Sequence, residues 1–215
     1  MIIAKFYLII LIGYLLGNIP SGLIVSRWKA KLDIRDYGSG KTGATNVLRK
    51  LGRKPALVVI GLDILKGALA VAFAGVIIGA DFLIIGEFGI GLLLAQVVGA
   101  LAAIAGHIWP VFFDFRGGRG VATFFGGLIA LSPVAAVFGA EVLIIGAGLS
   151  GFVSLGSIAG AVGAYAILVP LTLWNAFPVE YLIYAMAGSL LIIYMHRENI
   201  RRLLTGKERR LGEKT

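Results

Sequence analysis

The chain has no cysteine and only two histidines in 215 residues. The first absence removes disulfides, thiolate nucleophiles and thiolate metal sites. The second argues against a histidine-rich metal centre, and no metal or other cofactor is expected. Charge is scarce too: Asp, Glu, Lys and Arg make up 14% of the residues, against about 25% in an ordinary soluble domain. Apolar residues take their place, at 59% of the total and a mean hydropathy of +0.94. Residues 6–26, 88–113, 121–140 and 142–179 contain no charged side chain, and a bilayer crossing takes roughly 20 such residues. The sequence describes an all-α polytopic membrane protein.

Acids are outnumbered, 11 to 20, which gives a net charge of +9. Nucleic acid is one partner such a balance suggests, but the placement of the charge argues against it. Nine of the Lys and Arg lie between Arg27 and Lys54, two are Arg116 and Arg119, and seven lie between Arg197 and Lys214. Basic clusters separated by apolar spans follow the positive-inside rule and mark the cytoplasmic side. No nucleic-acid partner is expected.

The run through residue 26 is too long for the apolar core of a cleaved signal. Its end, Asn18-Ile19-Pro20-Ser21-Gly22, also lacks a small-x-small site, so it reads as a retained first span. Residues 55–80 and 88–110 each fit one span, joined through the acidic stretch Asp81–Glu87. Residues 158–174 and 179–195 make two more, turning at Asn175–Pro178. As one helix, residues 120–149 would run to about 45 Å against a hydrocarbon core of about 30 Å. The basic 116–119 loop and 197–214 tail both belong on the cytoplasmic side, so an even number of crossings separates them. Ser132-Pro133 divides 120–149 into halves of about 13 and 15 residues, a short helical hairpin. The expected fold has seven transmembrane helices, with the N-terminus outside and the C-terminus cytoplasmic. Gly and Ala at close intervals (Gly75, Gly79; Gly99, Ala103; Gly156, Gly160, Ala164) would let helices approach closely.

Three polar stretches carry the candidate chemistry. The first runs from Tyr37 to Arg49 and contains Gly38, Ser39, Gly40, Lys41, Gly43, Thr45 and Asn46. It matches fragments of nucleotide-binding patterns. However, Arg35 stands where a Walker A loop needs glycine, and a membrane span rather than a strand precedes the glycines. The physics still transfers. Glycines let backbone N–H groups converge on a phosphate, a helix start at Thr45-Asn46 adds its dipole, and Arg49 reaches the same anion. The second stretch, Gly106 to Gly120, sets His107 and four aromatics (Trp109, Phe112, Phe113, Phe115) before Gly117-Gly118-Arg119-Gly120. This repeats the cradle with a fixed cation, and the aromatics suit the headgroup level. The third set combines Ser154 and Ser157 with His196, Asn199 and Arg202, and the spacing of His196 and Asn199 puts them on one helix face. Asp63 and Lys66, at i and i+3 inside the second span, are expected to pair. Neither they nor Glu141 receive a role.

With these motifs in order, the chain resembles the bacterial acyl-phosphate-dependent glycerol-3-phosphate acyltransferases, integral membrane enzymes of phospholipid synthesis. The signatures are Gly-Ser-Gly-x-x-Gly-Ala-Thr-Asn-x-x-Arg at 38–49, Gly-His-x-x-Pro-x-Phe-x-x-Phe-x-Gly-Gly-Arg-Gly at 106–120, and His-Arg-x-Asn-Ile-x-Arg-Leu at 196–203. Lys41 stands where that family usually has Asn, and Arg119 where it usually has Lys. The resemblance implies one membrane-embedded domain over 1–215 in the bacterial inner membrane, among membrane lipids, with its active site at the cytoplasmic face; a monomer is expected, though the sequence leaves an oligomer open. It implies transfer of an acyl group from acyl phosphate to the 1-hydroxyl of glycerol 3-phosphate, giving lysophosphatidic acid and phosphate.

On that reading Ser39, His196 and Asn199 are the catalytic candidates. Gly38, Gly40, Gly43, Thr45, Asn46, Arg49, Gly117, Gly118, Arg119 and Gly120 would bind substrate phosphate, and His107, Ser154, Ser157 and Arg202 would contribute further substrate contacts. Positions five after each histidine are Phe112 and Arg201, so the His-x-x-x-x-Asp dyad of the other large acyltransferase class is absent. An acyl phosphate is already activated, so positioning and charge stabilisation can supply most of the acceleration. The competing mechanism is an acyl-enzyme on Ser39 with His196 as base. The competing function is a transporter of phosphorylated small solutes, whose sites usually lie at the bilayer midplane between repeats.

Overall fold

The computed structural model describes residues 1–85 and 88–213; Glu87, in the acidic join, and Lys214, in the basic tail, lie outside them. The first apolar run is not one helix. Helix α1 covers Ile2–Asn18 and α2 covers Ser21–Ala30. Pro20 has no N–H to continue the ladder, and the Ile19 N–H closes α1 on the Leu16 carbonyl. A short helix α3 (Ala44–Leu51) leads into α4 (Arg53–Ile78). A strand pair follows, β1 (Leu83–Ile85) antiparallel to β2 (Phe88–Ile90), with Leu83 opposite Ile90. The span expected from residue 88 therefore begins later, as α5 (Leu92–Ile108), because Gly89 and Gly91 are poor helix formers beside extended β-branched residues.

The chain then forms α6 (Val121–Leu131), α7 (Pro133–Ser150), α8 (Val153–Leu173), α9 (Val179–Met195) and α10 (Arg197–Leu204). The break between α6 and α7 falls at Ser132-Pro133, where Pro133 takes the first helical position and Ser132 Oγ accepts the Ala135 N–H. The halves come out at 11 and 18 residues, so α6 is about 16 Å long, short of a bilayer core of about 30 Å. Five segments are long and apolar enough to cross a membrane: Ile2–Ala30 with its break, Arg53–Ile78, Leu92–Phe113, Pro133–Ser150 and Val153–Leu173. The α9–α10 pair, bent by 58°, makes a sixth.

At one end of the bundle Lys5 Nζ lies 3.1 Å from both the Asp81 carboxylate and the Ile78 carbonyl. The opposite end gathers the loop before α3, the 109–120 loop, α10 and the tail that follows it. Small residues do bring helices together: Gly13 and Gly17 of α1 lie on α5 at Gly99 and Ala103, and Gly139 of α7 lies on α8 at Gly160. The deepest core joins α5, α6, α8 and α9. There Phe124 stacks on Tyr184 at 5.5 Å between ring centroids, and the Tyr184 hydroxyl donates to the Phe124 carbonyl at 2.9 Å. Glu141 lies exposed on α7, apart from this core.

Candidate active site

The first loop is shaped by Asn46, in the opening turn of α3. Its amide nitrogen lies 2.9–3.0 Å from the carbonyls of Ile34, Tyr37 and Lys41, and its oxygen accepts the Ser39 N–H at 3.3 Å. Gly38 and Gly40 take positive φ (58° and 66°), and the Gly40 N–H donates to the Tyr37 carbonyl. The amides of Ser39 and Gly40 that would cradle a phosphate are thus used within the loop, so the glycines serve the turn. Gly43 caps α3 and Thr45 lies in its first turn. Ser39, Lys41 and Arg49 are left facing a cavity.

The second loop departs from expectation in the same way. The Gly117 and Gly118 N–H groups donate to the Ile108 and His107 carbonyls at 3.2 and 3.0 Å, tying the loop back onto the end of α5. These glycines permit a close backbone approach and do not form an anion nest. Gly120 caps α6 at a φ of 83°. Arg119 is the group that faces the cavity. Its guanidinium is largely buried, its Nε has no protein partner among the described residues, and burial lowers it to about 10, still cationic at neutral pH. His107 is buried beneath this loop; it is absent from the walls of the cationic cavity and borders the adjoining apolar groove, which Arg119 also lines. Phe112 and Phe115 are exposed, in keeping with an interfacial position.

At the third stretch α9 ends at Met195 and the chain turns through His196 into α10. His196 Nδ1 is 2.8 Å from the Ile192 carbonyl, which makes it the protonated nitrogen and leaves Nε2 an acceptor. Burial, with Arg119 nearby, lowers this imidazole to about 4, so it is neutral at pH 7. Asn199 donates through Nδ2 to Glu208, while its Oδ1 is buried without a partner among the described residues. Glu208 also accepts from Ser154 Oγ at 2.8 Å and Arg202 Nε at 2.7 Å. The sequence reading missed Glu208; its one available signal is an acid standing alone between Lys207 and Arg209. Ser157 donates to Val153 within its own helix, at 2.8 Å.

These groups surround a cavity of about 340 Å³ whose walls carry six cations (Lys41, Arg49, Arg119, Arg197, Arg202, Arg209) and two carboxylates (Glu198, Glu208). Next to it runs an apolar groove of about 910 Å³ between α4, α6 and α7, walled by Ile60, Ile64, Phe125, Ile129, Ala140 and Ile144. Ser39, Lys41, Arg49, Arg119, Asn199 and Glu208 line both spaces, so the two meet along these side chains. Gly43, Thr45, Asn46, His107, Gly120, Ser154, Ser157 and His196 border the groove only, Gly38 and Arg202 the cationic cavity only, and Gly40, Gly117 and Gly118 neither. Among the described residues no hydrogen bond joins Ser39 to His196.

Residues 7–206 match the family model described as glycerol-3-phosphate acyltransferase. The chain is 67% identical to glycerol-3-phosphate acyltransferase 3 of Dehalococcoides mccartyi strain CBDB1, over all of this chain and 99% of that one. It is 42% identical to the glycerol-3-phosphate acyltransferase of Parasynechococcus marenigrum strain WH8102, over 96% of this chain and 90% of that one. Among solved structures it superimposes on PlsY (YgiH), an integral membrane glycerol 3-phosphate acyltransferase, in its glycerol 3-phosphate form. That match has a TM-score of 0.82 and 39% identity, over 96% of both chains. The lysophosphatidic acid form of PlsY gives 0.80 and 38%, over 97% of this chain and 96% of that one.

Proposed function

The chain belongs to the glycerol-3-phosphate acyltransferase family, and from that premise we propose that it transfers an acyl group from acyl phosphate to the 1-hydroxyl of glycerol 3-phosphate. One observation carries this reading: a pocket with six cations and two carboxylates opens directly into an apolar groove. Such a pair of spaces suits a phosphate-headed, hydrocarbon-tailed donor beside a small phosphorylated acceptor. The excess positive charge suits two phosphates held at once. A transporter of phosphorylated solutes would place its site near the bilayer midplane, whereas here the polar groups collect at one end of the bundle.

On this reading Arg49 and Arg119 hold phosphates, with the unpartnered Arg119 Nε directed to an oxygen. Ser39, Asn199 and His196 orient the attacking hydroxyl. Among the described residues Asn199 Oδ1 and His196 Nε2 accept no hydrogen bond, which suits a hydroxyl donor. The acceptor oxygen attacks the acyl carbonyl, the acyl–phosphate C–O bond breaks, and a phosphate oxygen takes the hydroxyl proton. The neutral, buried His196 is poorly suited to be a strong base, and it is not bonded to Ser39, so direct attack is favoured over an acyl-enzyme.

The topology has seven membrane-embedded helical segments in one domain, with the N-terminus outside and the site at the cytoplasmic face of the bacterial inner membrane. The basic loops at the pocket end support that orientation. Parity is the same whether or not the short α6–α7 hairpin reaches the far surface.

The test uses detergent-purified protein with acyl phosphate and glycerol 3-phosphate, following phosphate release and lysophosphatidic acid. Turnover without a membrane partition is expected, with no denaturation-stable acyl adduct on Ser39. No turnover would overturn the reaction, and a trapped Ser39 adduct would overturn the direct mechanism.

A further inference from the structure

Two charges sit inside α4, outside the cationic pocket but with Asp63 at the wall of the adjoining apolar groove; their side chains are only 3% (Asp63) and 4% (Lys66) exposed and 2.9 Å apart. Ions at such depth are unfavourable unless every donor and acceptor is matched. Lys66 Nζ is matched threefold, by Asp63 Oδ1 and by the Gly17 and Ile19 carbonyls (3.1 and 3.0 Å) at the α1–α2 break. Asp63 Oδ1 also accepts from Ser21 Oγ, at the start of α2, at 2.8 Å, and lies 3.5 Å from His107 Nδ1, near the end of α5. An apolar pair could tie the same helices together without a desolvation penalty, so simple anchoring does not account for the ions.

The neighbours of Ser21 and His107 show what else the network holds. Gly22 lies flat on the first loop, where a β-carbon would overlap the Thr42 carbonyl, one residue beyond Lys41. The His107 ring lies beneath Gly118, where a β-carbon would overlap Nε2, and the Gly118 N–H bonds the His107 carbonyl. Arg119 follows directly. A single carboxylate oxygen thus touches the supports of both cation-bearing loops.

We propose that Asp63 is a positioning residue that sets the separation of the Ser39–Lys41 and Arg119 loops, and so the gap between the two substrate phosphates. This rests on the acyltransferase reading above and assigns Asp63, Lys66, Ser21 and His107 a place in it. The network acts through rigidity, since it ties a broken helix, a helix end and two loops to one point.

The cysteine-free sequence allows the test in the full chain. Spin labels on Asp36→Cys and Arg116→Cys, both exposed, report the separation of the loops by dipolar EPR. Asp63→Asn with Lys66→Gln removes both charges together and leaves no lone ion. In this variant the distance distribution is expected to broaden. The KM for each phosphate substrate should rise about tenfold or more, with a smaller fall in kcat and the thermal midpoint retained. Ser21→Ala is the gentler variant and moves both readouts the same way by less. Should the double variant fail to fold, Ser21→Ala and His107→Gln decide. Unchanged distances and KM values in a folded variant overturn the proposal. Because the EPR distances need no turnover, an inactive parent protein would count against the reaction and leave the positioning role to be judged on distance alone.

Discussion

Ala140 lies midway along the α7 wall of the apolar groove, half-buried and facing the space between α4 and α6. The groove residues on α7 run from Pro133 to Gly148, about 22 Å of helix at 1.5 Å per residue, longer than the roughly 15 Å of one leaflet's hydrocarbon. A phenyl ring at residue 140 would close the part below it, toward Pro133, about 10 Å of wall. If that segment holds four methylenes of a long acyl donor, at about 0.8 kcal/mol each, Ala140→Phe weakens long-chain binding by about 3 kcal/mol, or roughly two hundredfold. A donor too short to reach residue 140 loses nothing. The assay is a series of acyl phosphates of increasing length, with KM measured for the parent and Ala140→Phe at saturating glycerol 3-phosphate. The expected plot diverges beyond a threshold length while KM for glycerol 3-phosphate stays constant. A uniform rise at every length, or no rise at the longest, would falsify the assignment of the groove to the acyl chain.

Other substitutions probe the polar half. Glu208→Gln removes the carboxylate shared by Asn199, Arg202 and Ser154; with charged hydrogen bonds worth about 1.5–3 kcal/mol, kcat/KM should fall ten- to hundredfold in steady-state assays. Arg49→Ala should raise the KM for a phosphate substrate by a similar factor with kcat less affected, and an unchanged KM would remove Arg49 from the site. His196 is held at about 4 when folded against an ordinary 6.5, so the unfolded chain binds the extra proton between those values. Its contribution to stability is complete above pH 6.5 and is lost as pH falls toward 4. Thermal melts should show this decline, and His196→Gln should flatten it.

What the sequence made legible depended on whether one residue type has one physical meaning. Proline comes close: the chain breaks at Ser132-Pro133, as the sequence indicates, with Pro133 in the first position of α7, whereas Pro170 lies inside α8 without ending it. Pro20 divides α1 from α2 inside the 21-residue uncharged run 6–26, yet the length of that run points to one crossing, and Ile2–Ala30 is a single candidate span with a break in it. Glycine is ambiguous. Gly117 and Gly118 have the pattern of an anion cradle, but their N–H groups serve α5, and only tertiary contact distinguishes these uses. Asn46 is similar: a polar side chain at a helix start suits a ligand, but here it organises the loop. The convergence of Ser39, Arg49, Arg119 and Asn199 was foreseeable from three polar stretches at one membrane face. Glu208 was not, since an acid within a basic tail is indistinguishable from a solvated charge until Asn199 and Ser154 close around it.

Ile60, Ile129, Val137 and Ile144 line the groove and are also exposed on the outside of the bundle, so the slot is open along its flank. Hydrocarbon can slide in and out sideways without crossing water, and exchange becomes diffusion in a plane. Turnover then depends on the mole fraction of lipid substrate in the surrounding micelle or bilayer more than on its bulk concentration. Adding inert detergent at constant substrate should slow the enzyme by surface dilution alone.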